Sequence, residues 1–283
     1  MPPCLASVTK IYATHPKLKK QDVDTIFDWL KTQPHLPELK ELQVILFLHS
    51  CNYETSQTKT TIENYFTLRT SSDLFQSADE DIVRRVLSTA FLDIFPKKTP
   101  EGYVVFLLGL LNPNPEKFNC NETLKVAIMV LCLYFHQYGP ANGLVLLVDL
   151  RNTTFGHLFR MNVSAMRGFA NFLQDSAPTR LKGIHYVNTV PVTRHFITLG
   201  KQFLKKEIHE MIKSHTALDS LYEYIPKDCL PEEYGGIVEP RLKLHEENLE
   251  NLLKNLDFFK WHDSQKVDES KRIRKTHRWF FRM

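Results

Sequence analysis

The sequence predicts an α/β protein in which an N-terminal helical bundle precedes a mixed, largely parallel sheet flanked by helices. Three observations lead to this fold class. Apolar residues recur with helical spacing through the first 95 residues. From about Gly102 onward, short apolar runs alternate with longer helical patterns, as they do in chains that build a parallel sheet. The run from Leu144 to Val148 is apolar at every position, which is typical of a strand buried on both faces.

The N-terminal region is expected to hold four helices. Asp22 is a suitable N-cap for the first, and the Pro34–Pro37 stretch separates it from the second. A third helix begins near Ser56, and a fourth spans residues 79–91. The apolar positions that support the first three helices are Val23, Ile26, Phe27, Leu30, Leu39, Leu42, Ile45, Leu46, Ile62, Tyr65 and Phe66.

The second region is expected to alternate strands with helices and to finish with one further helix. The predicted strands are residues 103–111, 144–148 and 182–187. The predicted helices are residues 122–138, capped by Asn121 and ended by Gly139-Pro140, then residues 162–174, 192–213 and 242–259.

Size and composition favour a cytoplasmic globular protein. The chain has 283 residues, of which 43% are hydrophobic and 24% are charged. Its longest apolar runs, residues 104–111 and 126–135, are shorter than the roughly 20 residues that span a bilayer. The first residues lack the pattern of a secretory signal. The five cysteines are scattered without metal-binding or disulfide-framework spacing, which suits a reducing compartment.

Three motifs occur in a fixed order in the second half of the chain. Gly183-Ile184-His185 lies in a predicted strand, Phe203-Leu204 lies in the following helix, and Leu230-Pro231-Glu232-Glu233-Tyr234-Gly235-Gly236 forms a predicted turn. Together they resemble the CRAL-TRIO family of cytosolic lipid-transfer proteins, most closely its tocopherol- and retinaldehyde-binding branch. The resemblance implies a protein that carries a hydrophobic molecule and does not react with it.

The resemblance also implies a domain plan and a moving part. Residues 1–95 correspond to the N-terminal helical region, residues 96–240 to the lipid-binding domain, and residues 241–283 to a C-terminal helix and tail. The helix predicted at residues 192–213 corresponds to a mobile lid that opens at membranes to exchange the lipid.

The relatives line their cavity with positions that can be transferred to this chain. The residues so implied on the sheet and its helices are Val126, Val130, Leu144, Leu146, Val148, Met161, Phe169, Phe172, Leu173 and Ile184. Those implied on the lid are Phe196, Ile197, Leu199 and Phe203. Because Val126 and Val130 replace serines of the relatives, we expect a drier cavity than one for tocopherol. An isoprenoid, retinoid, tocopherol-like or phospholipid ligand remains open.

Relatives hold phosphoinositide headgroups in a basic groove. Two of its positions are matched by Arg180 and Lys182, whereas two on the lid fall on Glu207 and Met211. Neighbouring cations on the lid could contribute charge, namely Lys205, Lys206 and Lys213. We therefore expect a monomer that meets anionic membranes transiently, with phosphoinositide as a possible partner.

The C-terminal tail is basic and aromatic. Residues 271–282 carry six cations and no acid, so the chain from Met1 to Ser270 has a net charge of −2. A tail of this kind suits an anionic membrane surface. It could also stack on single-stranded nucleic acid, but the rest of the chain offers no basic face, so no nucleic-acid partner is expected.

Catalytic and cofactor motifs are not found in the sequence. There is no Gly-x-Ser-x-Gly elbow, no phosphate-binding glycine loop and no His-Glu-x-x-His pair. We therefore expect no catalytic residues, no metal and no cofactor. Two alternatives remain: a tethering module whose cavity is vestigial, and a lipid-modifying enzyme with a nucleophile and base brought together by the fold.

Overall fold

A five-stranded sheet forms the centre of the molecule. The computed structural model describes residues 5–273. The strands are β1 (Ala90–Ile94), β2 (Tyr103–Leu110), β3 (Gly143–Asp149), β4 (Leu181–Val187) and β5 (Ile212–Ser214). They lie in the order β1-β2-β3-β4-β5; β1 pairs antiparallel with β2, and the other neighbours pair parallel. The predicted α/β fold with a mixed, largely parallel sheet is confirmed.

Helices precede, connect and follow the strands. Before the sheet lie α1 (Val8–Thr14), α2 (Lys20–Lys31), α3 (Glu41–Ser50), α4 (Thr55–Ser71) and α5 (Glu80–Leu87). Between strands lie α6 (Cys120–Tyr138), α7 (Phe155–Phe159), α8 (Val163–Asn171), α9 (Thr193–Lys201) and α10 (Lys206–His209). After the sheet follow α11 (Asp219–Tyr222), α12 (Arg241–Lys254) and α13 (Leu256–Ser264). A single π-helical segment, Phe172–Ser176, extends α8.

The two faces of the sheet bury different sets of residues. Side chains alternate along each strand, so Phe106, Leu146 and Ile184 face one side and Leu107 and Leu147 face the other. The first side continues into the core of the N-terminal helices through α6, which is buried along most of its length. The second side packs on α11, α12 and the turn near Tyr234.

Sequential strand order explains this division. Parallel strands joined by right-handed crossovers in one direction place all their connecting helices on the same face. The connections through α6, α8 and α9 therefore cover one face together. A gap between these helices and the sheet is the natural place for a cavity in such a fold.

The prediction of a helix over residues 79–91 is wrong at its end. Asp79 is the N-cap of α5, but α5 ends at Leu87 and residues 90–94 form β1. The hydroxyl of Thr89 donates to the carbonyl of Val86 and so satisfies one carbonyl at the end of the helix. Pairing of Ala90 with Leu110 then draws the chain into the sheet. Leu87 and Phe91, four residues apart, have helical spacing and concealed this change.

The prediction of one helix over residues 192–213 is also wrong. The segment forms α9, a turn, α10 and β5 in succession. The turn is tight, because the amide of Leu204 donates to the carbonyl of Lys201, and Lys205 then adopts an extended conformation. Residues 212–214 pair parallel with β4, so edge pairing replaces the last helical turns.

Smaller corrections concern caps and the last helix. The N-caps of α2 and α6 are Lys19 and Asn119, rather than Asp22 and Asn121. The last helix is interrupted at Asn255, whose side chain donates to the carbonyl of Asn251. The predicted basic-aromatic tail lies, from Arg274 onward, outside the described residues. The division at residues 95 and 240 stays a prediction, although β1 already belongs to the sheet.

The Leu230–Gly236 turn is tied to the end of the central strand. Asp149, only 2% exposed, accepts hydrogen bonds from the hydroxyl of Tyr234 at 2.8 Å and the side chain of Asn188 at 2.9 Å. The guanidinium of Arg241 lies 3.2 Å from the same carboxylate. Burial, followed by the neighbouring carboxylate, raises the pKa of Tyr234 well above its usual range. The turn therefore fixes the carboxyl edge of the sheet, where the cavity described next begins.

Candidate ligand cavity

An apolar cavity of about 230 Å³ lies on the face of the sheet that α6, α8 and α9 cover, toward the carboxyl ends of the parallel strands. The sheet and its first loop residues contribute Ala90, Leu92, Leu108, Gly109, Leu110, Leu146, Val148, Asp149, Leu150, Thr153, Ile184 and Tyr186. The helices and their connections contribute Phe118, Thr123, Leu124, His157, Met161, Met166, Phe169, Ala170, Leu173, Phe196, Gly200, Phe203 and Leu204. The carboxyl end of a parallel sheet is the usual place for ligands in α/β folds.

The segment α9–turn–α10 covers one side of this cavity, and we call residues 193–209 the cover segment. Its cavity-lining positions Phe196, Phe203 and Leu204 are each only partly buried. Few polar contacts hold it to α8 and the π-helical segment. Gln174 donates to the carbonyl of Phe203 at 3.1 Å and accepts from the amide of Lys205 at 3.0 Å.

Eight of the fourteen residues predicted from the sequence lie together at the cavity wall. They are Leu146, Val148, Met161, Phe169, Leu173, Ile184, Phe196 and Phe203. Their roles in binding stay predictions, but the fold brings them into one place from two strands, the loop after α7, α8 with its π-helical extension, and the cover segment.

The other six do not line the cavity. Some lie too far along their helix or strand, and the side chains of the others face away from the cavity. Leu144 shares a face with Leu146 but sits near the opposite end of β3. On α6 only Thr123 and Leu124 reach the cavity, so Val126 and Val130, further along the helix, are buried in the adjoining core. The ring of Phe172 packs against Tyr65 and Phe75, at 6.3 and 5.8 Å between centroids. The last two, on α9, are partly buried but do not line the cavity: Ile197 and Leu199.

Several lining residues were missed by the sequence analysis, and two groups of them have an identifiable cause. One is β1 with its partner strand, because β1 was predicted to be helical. The other is the apolar face of α8, where Met166, Phe169, Ala170 and Leu173 follow the spacing i, i+3, i+4 and i+7. That periodicity could have identified Met166 and Ala170 from the sequence.

The cavity wall contains few ionisable groups. Asp149 is already engaged by Tyr234, Asn188 and Arg241, as described above. Burial raises the pKa of Tyr186 to about 12, so its hydroxyl remains protonated at neutral pH. The third ionisable side chain of the wall is His157 on α7, which is only 1% exposed.

His157 is held from one side only. Its Nδ1 lies 3.2 Å from the amide nitrogen of Thr154, and its ring meets that of Phe118 edge-on at 5.7 Å. Its Nε2 is buried and has no hydrogen-bond partner among residues 5–273. The hydroxyl of Thr123, another cavity residue, is buried and unpartnered in the same way within that range.

The histidine of the Gly-Ile-His motif points away from the cavity. His185 lies on the opposite face, where its Nδ1 is 2.9 Å from Nε2 of His215, and His215 contacts the hydroxyl of Ser220 at 2.8 Å. Burial, with His215 as a second cause, lowers the pKa of His185 to about 4. Its ring nitrogen is therefore satisfied by a structural contact.

The predicted cations divide into two sets. Arg180, Lys182 and Lys205 line a polar groove of about 750 Å³ beside the cover segment. Arg180 donates to the carbonyls of His49 and Asn142, and Lys205 pairs with Asp175. Glu207, at a position where the family is basic, lines the groove too. The second set, Lys206 and Lys213, is exposed and lies outside the groove.

The part of the chain that the structure describes contains neither a membrane-spanning helix nor a cluster of metal ligands. No helix there is both long and apolar enough to cross a membrane. No cluster of three or more histidine, cysteine or acidic side chains there could hold a metal ion.

Comparison with known protein families gives two matches. A family described as CRAL/TRIO domain matches residues 91–236, and one described as Pinta-like, UBA domain matches residues 15–81. The first range contains the whole sheet except the first residue of β1, together with the cavity and the Leu230–Gly236 turn.

Individual relatives are distant. Clavesin-1 of Xenopus laevis is 28% identical over 233 residues, which cover 80% of this chain and 70% of that protein. Clavesin-1 of Mus musculus is 26% identical, covering 80% and 66%. Alpha-tocopherol transfer protein-like of Homo sapiens is 25% identical over 226 residues, covering 78% and 66%. This chain thus spans about two thirds of the length of these relatives.

One solved structure, titled crystal structure of Sfh5, covers 87% of this chain and 99% of its own. The TM-score is 0.48 at 15% identity. A likeness at this level is too low to support an argument about function.

Proposed function

This chain belongs to the CRAL/TRIO domain family, and on that basis we propose that it binds a hydrophobic small molecule inside the cell and transfers it between membranes. The observation that carries the proposal is the apolar cavity between the sheet and the cover segment. Ligand sites of this kind are mostly apolar and contain a few polar groups. One relative is named as being like alpha-tocopherol transfer protein, which agrees with a carrier role.

A carrier fits the lining better than an enzyme does. Among the described residues, the wall contains no serine, cysteine or lysine that could act as a nucleophile. Its single carboxylate, Asp149, is occupied by three neighbouring side chains. General acid–base or nucleophilic chemistry needs an available group beside a base, and His157 alone does not supply both.

The cavity volume implies that the cover segment must move. Pockets for drug-sized ligands enclose roughly 300–1,000 Å³, whereas this cavity measures about 230 Å³. A lipid with about fifteen methylenes would gain roughly 12 kcal/mol from leaving water. Such a ligand enters and leaves only when the cover segment is displaced and an apolar phase, a membrane, is present.

The cover segment is suited to displacement because few contacts retain it. Gln174 makes the two backbone hydrogen bonds described above, and the guanidinium of Arg167 lies 5.7 Å from the ring centre of Phe203. β5, which follows the segment, pairs with β4 over only three residues. Opening therefore breaks a small number of interactions and leaves the sheet intact.

Organic extraction of the purified full-length protein, followed by mass spectrometry, tests the proposal. We expect one class of hydrophobic molecule at close to one mole per mole of protein, either as isolated or after incubation with donor vesicles. Protein that yields no lipid under both conditions, and also releases none to acceptor vesicles, would support the alternative of a tethering module with a vestigial cavity.

We further propose that the cover segment approaches anionic membranes. Phe159 and Phe155 on α7 are 83% and 46% exposed, and the ring of Phe155 lies 5.3 Å from that of His195 on α9. Exposed aromatic side chains beside the cover segment suit the membrane interface. Lys206 and Lys213 add positive charge without forming an ion pair with the described residues. Specific phosphoinositide recognition stays a prediction, because the neighbouring groove also contains Asp175 and Glu207.

Reversing these two charges is expected to weaken binding to anionic vesicles. Each lysine near an anionic surface contributes about 1 kcal/mol, so Lys206→Glu with Lys213→Glu should lower the partition coefficient by at least about tenfold. Vesicle co-sedimentation with phosphatidylserine measures it. The matched control is Lys254→Glu with Lys260→Glu, which makes the same change of net charge on α12 and α13. Equal losses in both double variants would contradict a role for the cover segment.

A further inference from the structure

Two buried polar groups at the cavity wall lack partners within residues 5–273. They are Nε2 of His157 and the hydroxyl of Thr123. A buried polar group without a hydrogen bond costs on the order of 1–3 kcal/mol, so such groups are rare and call for an explanation. Both occur in a wall that is otherwise mainly apolar, and both residues line the same cavity.

The two groups lie toward one end of the cavity. The ring of Phe118 meets the ring of His157, and Phe118 immediately precedes the N-cap of α6. Thr123 is the fourth residue of that helix. Both side chains therefore belong to the part of the cavity wall next to the start of α6.

The protonation of His157 follows from its other nitrogen. Nδ1 of His157 lies 3.2 Å from the amide nitrogen and 3.0 Å from the hydroxyl oxygen of Thr154. Because the amide can only donate and the hydroxyl can donate as well, we assign Nδ1 as an acceptor. The neutral ring then carries its proton on Nε2, and this atom is a donor. Burial, with Arg160 as a lesser cause, lowers the pKa of His157, which keeps the ring neutral at physiological pH. Nε2 of His157 therefore needs a hydrogen-bond acceptor, which none of the described residues supplies.

The lining also limits the charge of that acceptor. Among residues 5–273, no lysine or arginine lines the cavity. An anionic headgroup placed there would be buried without a counter-charge in the wall, because Arg160, the cation that acts on His157, lines a different pocket. Burial of an unpaired charge is far more costly than burial of a hydroxyl or carbonyl.

We propose that His157 and Thr123 form an anchor for a neutral oxygen, a hydroxyl or carbonyl group at one end of an otherwise hydrocarbon ligand. This inference rests on the proposed carrier function and narrows its ligand class. His157 donates to the ligand oxygen, and the hydroxyl of Thr123 completes the contact as donor or acceptor. Carboxylates and phosphates are excluded from this end of the cavity.

The test compares three probes that differ only at one end: hexadecane, hexadecan-1-ol and hexadecanoate. Each is incorporated in phosphatidylcholine vesicles, and retention by the full-length protein is measured by mass spectrometry after gel filtration. The wild type is expected to retain the alcohol about five- to tenfold more than the alkane, and to exclude the carboxylate.

Two variants locate the selectivity. Thr123→Val keeps the shape of the side chain and removes only the unpartnered hydroxyl, so it should fold normally and lower the alcohol-to-alkane ratio about threefold. His157→Leu also removes the bond to Thr154, and should bring the ratio near one. The control is Thr179→Val, which removes another buried, unpartnered hydroxyl, one that lines the polar groove instead; its ratio should equal that of the wild type.

The outcomes separate this inference from the carrier proposal. Equal retention of alkane and alcohol by the wild type, as expected if a trapped water serves both groups, overturns the anchor and leaves the carrier standing. Preference for hexadecanoate, or selectivity that persists in both cavity variants, also overturns the anchor. Retention of none of the three probes overturns the carrier and the anchor together.

Discussion

Replacing Gly236 by alanine is expected to destabilise the protein by roughly 3 kcal/mol or more. A Cβ atom at this position would overlap the backbone carbonyl groups of Leu230 and Lys227, neither of which is a flexible side chain. The turn would have to reorganise, and Tyr234, which it carries, would be drawn away from Asp149. A buried carboxylate would then lose its hydroxyl partner, which adds to the cost of the overlap.

Urea unfolding measures this effect, since a change of midpoint at constant slope reports a change in the free energy of unfolding. Gly200→Ala is the matched control. The nearest atom to a Cβ at Gly200 is the hydroxyl oxygen of Tyr186 at 3.8 Å, an ordinary contact, and alanine is the better helix former. We expect no loss of stability there. A Gly236→Ala protein as stable as the control would show that the turn adapts at little cost.

The sequence was sufficient for the fold wherever local pattern and tertiary environment agree. The apolar run of β3 and the strand-like Gly-Ile-His segment became neighbouring parallel strands, because each is flanked by helices that force a crossover. The Leu230–Gly236 turn was predicted from Gly235 and Gly236, and Gly235 does adopt a positive φ of 73°. What the pattern did not reveal was the partner of Tyr234, since Asp149 is 85 residues away along the chain.

Prediction failed wherever the sheet overrode helical spacing. Residues 90–94 and 212–214 both continue apolar patterns that fit a helix, and both became edge strands. Neither segment pairs with more than one strand, so the signal that decided their structure lay in β2 and β4 rather than in their own residues. The loss of β1 also removed Ala90 and Leu92 from the predicted cavity wall.

The predicted cavity lining used the right faces of the helices and strands, but it included residues too far along them. Position-by-position transfer identified faces of helices and strands, yet a cavity has ends as well as faces. Leu144 and Leu146 lie on one face, and only Leu146 reaches the cavity. His157 was missed because a histidine in a short helix belongs to no periodic apolar pattern. Its importance comes from a ring nitrogen without a partner among the described residues, which only the structure reveals.

Introducing a negative charge at Phe203 is expected to accelerate release of bound lipid by at least tenfold. Phe203 lies at the cavity wall on the cover segment, and its ring is contacted by Arg167. Full burial of a phenylalanine side chain is worth about 1.5–3 kcal/mol, which a Phe203→Asp substitution forfeits in part, and desolvation of the new carboxylate at the cavity wall adds a further penalty. Both effects act on the closed state alone, because an open cover segment leaves position 203 in water or at the membrane surface.

The matched control for Phe203→Asp is Ile197→Asp, which places the same charge on α9 at a partly buried position outside the cavity wall. Transfer of the extracted lipid, or of hexadecan-1-ol, to acceptor vesicles gives the release rate, and circular dichroism with thermal unfolding checks that both variants are folded. Faster release from Phe203→Asp alone supports closure by residues 203–204. Unchanged release from a folded Phe203→Asp protein would mean that this segment does not close the cavity. Equal acceleration in both variants would instead assign closure to the cover segment as a whole, including position 197, which the sequence analysis but not the structure places at the wall.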